Sequence, residues 1–193
     1  MRKRLAFLLM IGAITSPISA QELRYPAVSV GPIAGVYVPV NKNSEELSTT
    51  ATLGVQVRGD LTKYFGLTAT IWWAGSEAEL PSLLEGLEPL DLYHYDLGVE
   101  FRPPPLFQEH KNVTPFLGIG AGGVTYDFRD ICGSAESDFS AFASTGLEVL
   151  VENLAFRLEG RGYLWEFDGF FGEKPESEKR NGLTVSAGFV YRF

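Results

Sequence analysis

Residues 182–193 read "GLTVSAGFVYRF". Leu183, Val185, Ala187, Phe189, Tyr191 and Phe193 fall on one side of a period of two, and Thr184, Ser186, Gly188 and Arg192 fall on the other. That period describes a strand whose two faces meet different environments. The fold turns on which face meets water.

Seven further stretches share the rhythm, bounded by Gly, Pro, Asn, Asp and Ser clusters: roughly Val28–Val38, Thr50–Gly59, Phe65–Trp73, Leu92–Arg102, Thr114–Tyr126, Phe139–Leu150 and Ala155–Trp165. Each has about the nine to eleven residues that a tilted strand needs to cross a bilayer. Connectors after the second and sixth strands are short, "DLTKY" and "VEN", whereas those after the first, third, fifth and seventh are long and acidic. Alternation of short turns with long loops predicts an all-β fold, a single eight-stranded antiparallel transmembrane β-barrel with up-and-down topology. "PPPLFQEHKNV" (103–113) is long for a turn, though its prolines stiffen it. "SEAELPSLLEGLEP" (76–89) has helical periodicity and predicts a short helical turn within a loop. Pro32, inside the first strand, predicts a bulge or kink.

The N-terminus reads as a secretory signal: Arg2, Lys3 and Arg4, an apolar run from Leu5 to Ile14, Pro17, and a small-residue exit at Ser19 and Ala20. The expected organisation is a signal peptide over 1–20 and a barrel domain over 21–193. Without Arg2, Lys3 and Arg4 the chain carries 13 basic residues against 24 acidic ones, a net charge near -11. This balance argues against a nucleic-acid partner. Cys132 is the only cysteine, so no internal disulfide can form.

One face of the eight segments carries no charge, from Val28 and Leu53 through Ile71, Leu97, Ile119 and Leu158 to Tyr191. The other carries the charges and most of the glycines. Residues without side chains suit a crowded lumen better than a water-facing wall, so the apolar face is assigned to lipid. Phe65, Phe101, Phe156, Tyr191 and Phe193 at the turn end, with Trp73, Tyr93 and Phe139 at the loop end, then form two interfacial belts. The implied location is a bacterial outer membrane, with lipid and lipopolysaccharide as surroundings.

The segments "FGLTATIWW", "LGVEFRPPP" followed by "NVTPFLGIGAGGVTY", "GLEVLVENLAFRLEGRGY" and the closing "GLTVSAGFVYRF" together resemble the eight-stranded outer-membrane barrels of the OmpA, OmpX and OmpW kind. The resemblance implies that Phe189, Tyr191 and Phe193 act as the signal read by the barrel assembly machinery. A monomer is expected, and no cofactor is assigned.

Inward-facing residues divide into two groups. Arg58, Asp96, Glu100, Arg102, Glu148, Arg157, Glu159, Arg161 and Arg192 lie from mid-height to the periplasmic end, five arginines against four carboxylates. They are read as a salt-bridge network, either an ion gate or a plug; the plug is favoured because eight strands leave little free bore. Tyr37, Trp72, His94, Tyr126, Phe142, Tyr163 and Trp165 lie toward the loops and are read as an aromatic cup, either an open ligand site or a packed rim.

Catalysis is weakly supported. His94 with Asp96, and Ser140 or Ser144 across the lumen, is the one conceivable constellation. Neither a nucleophile elbow, nor a phosphate loop, nor metal-spaced His or Cys residues occur. The acidic loops could take divalent cations, but are read as a solvated fringe, so no metal site is assigned. The functional expectation is a structural or envelope-stability role with loops available for binding. The alternatives are a narrow channel or uptake site for small apolar molecules, and a lipid-modifying enzyme.

Overall fold

The computed structural model describes residues 26–40, 47–79, 87–103, 112–128, 136–167 and 178–193. The expected signal peptide and Cys132 lie outside them. Eight strands, β1 (Ala27–Val40), β2 (Thr50–Asp60), β3 (Phe65–Glu79), β4 (Leu87–Phe101), β5 (Val113–Phe128), β6 (Glu136–Val151), β7 (Leu154–Phe167) and β8 (Glu178–Arg192), follow in chain order. Each pairs antiparallel with its sequence neighbours, and β1 pairs with β8 to close the barrel. Closure removes the two sheet edges, leaving no row of unpaired amides in lipid.

The period of two places side chains as expected. Leu97, Ile119, Phe139 and Leu164 are 61–72% exposed on the outside, while Arg157, Glu100 and Asp96 on the inside are 1–3% exposed. Outside apolar and inside charged is the inverse of a water-soluble barrel. At the turn end Phe65 packs on Phe101 with ring centroids 5.4 Å apart, and Phe156 on Phe189 at 5.3 Å. Near the loop end Trp73 Nε1 donates to Asp91 Oδ1 at 2.7 Å. Beyond that row the outer face turns polar, with Asp91 opposite Asp127 and Thr125 bonded to Ser137. The apolar band ends there.

Two turns close the periplasmic side tightly. Thr62 Oγ1 accepts from the amides of Tyr64 and Phe65 at 3.1 and 3.0 Å, fixing the β2–β3 turn. Between β6 and β7, Val151 pairs with Leu154 across Glu152 and Asn153, and Glu152 adopts φ 54°. A two-residue hairpin needs such left-handed backbone to follow the strand twist.

Two expectations change. The strands run further than predicted at the loop end, where backbone pairing continues past the apolar band. The ends of "SEAELPSLLEGLEP" join the ladder, Ser76 pairing with Leu90 and Glu79 with Leu87, while 80–86, the centre of the expected helical turn, lie outside the described residues. Extending an existing ladder satisfies each new backbone group at once, so residues 76–79 and 87–90 join the sheet despite their helical spacing. Finally, Pro32 makes no bulge: β1 keeps one register with β2 through Pro32↔Val55.

Its effect appears on the other side. Phe193 N donates to Val28 O at 2.9 Å, so by antiparallel alternation Pro32 also directs its backbone polar groups at β8. Proline has no N–H to give. The β1–β8 pairing accordingly passes from Val30↔Tyr191 to Ile33↔Gly188, skipping two positions without a register shift. There Phe189 O lies only 1.8 Å from where a Cβ on residue 31 would stand, which Gly31 alone permits.

Candidate functional site

Among the described residues the lumen is densely packed with side chains, and this filling is the candidate site. β7 contributes the row Arg157, Glu159, Arg161, Tyr163 and Trp165, all 4% exposed or less. Facing strands supply partners. Arg157 binds Glu100 of β4 with both terminal nitrogens and Glu159 Oε2 at 3.1 Å. Arg161 donates to Asp96 Oδ2 at 2.6 Å and to Glu159 Oε1 at 2.8 Å. Arg58 makes a two-pronged pair with Glu148. Arg102 reaches Glu100 at 3.4 Å. All nine charged residues expected from the sequence therefore lie in the lumen.

Asp60 is a tenth member that the sequence reading places in the turn "DLTKY"; it is 1% exposed and is bridged by Arg58 at 3.0 Å, Arg102 at 2.9 Å and Arg192 at 3.1 Å. The signal was present, since Asp60 continues the inward series Gln56, Arg58. With it, five arginines face five carboxylates: Asp60, Asp96, Glu100, Glu148 and Glu159. One chain of ion pairs now runs from Arg192 through Asp60, Arg102, Glu100, Arg157, Glu159 and Arg161 to Asp96. Balanced charge and planar guanidinium forks let such a network sit in a poorly solvated bore.

Rings and glycines complete the packing. Phe116 lies beneath Arg157, 3.6 Å from guanidinium carbon to ring centroid, and Phe142 lies against Arg161 at 4.4 Å. Phe142 is seated over Gly98 and Gly120, where a Cβ would come within 2.8 and 2.5 Å of the ring. The crowded-lumen reading of the glycines is thus literal here.

The structure gathers all seven aromatic residues expected near the loops, but as a packed layer. Tyr37, Trp72, His94, Tyr126, Phe142, Tyr163 and Trp165 are 0–6% exposed and pack with Leu47, Leu90, Leu92 and Val124. Among the described residues these rings form a closed stack, because opposite walls of an eight-stranded barrel stand within side-chain reach. His94 lies on Trp72 with centroids 4.0 Å apart and planes 8° from parallel. Tyr163 joins the two layers: its hydroxyl accepts from Trp72 Nε1 at 2.7 Å and donates to Asp96 Oδ2 at 2.6 Å.

That arrangement does not assemble the conceivable catalytic constellation. Asp96 Oδ2 is engaged by Arg161 and Tyr163. Among the described residues, His94 Nδ1 and Ser140 Oγ have no hydrogen-bond partner. No group of three or more His, Cys, Asp or Glu side chains that could hold a metal occurs among the described residues. Phe189, Tyr191 and Phe193 all face outward, the last two in edge contact at 5.0 Å.

Comparison with solved structures finds the same architecture. The chain is similar to Neisserial surface protein A, with a TM-score of 0.59 and 13% identity over 86% of this chain and 96% of that one. It is similar to the outer membrane protein OprG of Pseudomonas aeruginosa, with a TM-score of 0.57 and 13% identity over 87% and 96%. It is also similar to the outer membrane protein AlkL, whose structure was determined in lipid bilayers, with a TM-score of 0.52 and 14% identity over 92% and 95%. No protein-family model and no curated protein sequence matches the chain. The fold is that of the eight-stranded outer-membrane barrels.

Proposed function

We propose that the protein serves the bacterial outer membrane as a monomeric structural barrel, its lumen a plug and its outer loops the surface available for binding. The observation that carries this reading is the filling of the bore by one connected ion-pair network capped with a layer of packed rings. An ion or apolar solute crossing it would have to part buried charge pairs and displace Trp72, Tyr163 and Phe142 together. Lipopolysaccharide is the proposed surrounding of the outer belt, and the barrel assembly machinery the proposed reader of Phe189, Tyr191 and Phe193.

Planar-bilayer recording tests the plug. The purified protein is expected to give no resolvable conductance steps. Removing the mid-height block by Arg161→Ala together with Glu159→Ala is expected to create them. A steady conductance from the unaltered protein would overturn the reading in favour of a narrow channel.

A further inference from the structure

Small residues face the lumen where β2 and β8 flank β1. Gly35 stands in register with Thr52 on one side and Ser186 on the other, and Ser186 with Glu159. One row away, Gly54 is opposite Trp72. Added bulk is blocked at both glycines, because a Cβ would come within 2.3 Å of Val185 O or 2.4 Å of Ile71 O. A space therefore remains that the adjoining wall cannot fill.

That space is a cavity of about 10 Å³ at mid-height. It is lined by Thr52, Thr70, Thr184, Ser186, Glu159 and Arg161, with Ile33, Trp72 and Tyr163 adding apolar surface. The volume is at the lower end of the roughly 10–15 Å³ that one water needs. Bonding around it is slack. Gln56 Nε2 reaches Thr70 Oγ1 and Glu159 Oε2 only at 3.3 Å, Arg161 reaches Thr70 at 3.4 Å, and Gln56 Oε1, in a side chain 1% exposed, has no partner. Typical N–H···O bonds are nearer 2.9–3.0 Å.

We propose that a single long-lived water molecule occupies this cavity as a fixed part of the barrel interior, bridging the Arg161–Glu159 pair to the hydroxyl wall. A water offers two donors and two acceptors, which fits hydroxyls and a carboxylate around so small a volume. It partly solvates the mid-height ion pair without connecting it to either mouth. Trp72 and Tyr163 line the space, and Glu159, also in its lining, is held by the Arg157 that binds Glu100. The inference rests on the plug reading for the water being single and trapped; conductance tests that reading separately.

Water-to-amide NOE and ROE spectra of the deuterated, ¹⁵N-labelled protein in nanodiscs test it. The readout is at Ile33, Gly35 and Gly54, whose side chains carry no exchangeable proton. Cross-peaks with the sign of a long-lived water are expected at these amides. They should be lost in Thr52→Val with Thr184→Val, an isosteric pair favoured in strands, while amide shifts at the mouths stay unchanged. Absence of the cross-peaks in the unaltered protein, or their survival in the double variant, would overturn the proposal. So would a file of such cross-peaks running from Arg192 to Tyr37.

Discussion

Arg157 holds Glu100 and Glu159, approaches Glu148 at 3.8 Å, and rests on the Phe116 ring. Removing one member of a buried pair strands its partners, which costs about 3–5 kcal/mol. Arg157→Met is therefore expected to lower unfolding stability in lipid vesicles by about that amount, read from urea titration of tryptophan fluorescence. A loss below about 1 kcal/mol, the range of an exposed pair, would show that the network is solvated. On the outside the sign of the environment reverses. Leu97→Arg, at 70% exposure near the middle of the lipid face, is expected to cost about 2–4 kcal/mol in the same titration, and Phe101→Arg near the turn end only about 0–1 kcal/mol. Equal costs at the two depths would contradict the assignment of the band.

Among the strands, β1 is the one that breaks a local rule. Proline is ordinarily confined to edges or bulges, yet Pro32 sits in a closed barrel and removes a bond from the β1–β8 seam. Pro32→Ala restores an amide opposite Phe189. It is expected to add about 0.5–1.5 kcal/mol, one net hydrogen bond, and to yield an amide at position 32 protected against exchange. An unprotected amide there would mean that the seam is held apart by something other than the missing donor. The strand ends teach a related lesson: residues 76–79 have helical spacing, and yet they lengthen β3 because β4 is already beside them. Propensity yields where a ladder is in place.

Considered whole, the barrel combines a lipid-facing exterior with an interior of opposed charges, so its integrity depends on closure. Unheated samples are expected to migrate faster than heated ones in detergent gels, since a closed barrel resists detergent until boiled. Identical mobilities, or solubility without detergent, would refute a membrane barrel.

Much of this architecture follows from a period of two. Alternation assigns Arg157, Glu159 and Arg161 to one face and Phe156, Leu158 and Leu164 to the other, because strand geometry leaves a side chain only two directions. The absence of charge on one face then selects lipid for the outside, and most of the lumen could be named from the sequence. Contact across the bore could not, because it depends on register around eight strands and on the barrel's radius. Asp60 belongs to the network through arginines on β2, β4 and β8, and Tyr163 belongs to both layers through Trp72 on β3 and Asp96 on β4. Whether seven inward rings make an open cup or a closed stack is equally a matter of how far apart the walls stand. Local pattern decides which way each residue points; closure of the sheet decides what it meets there.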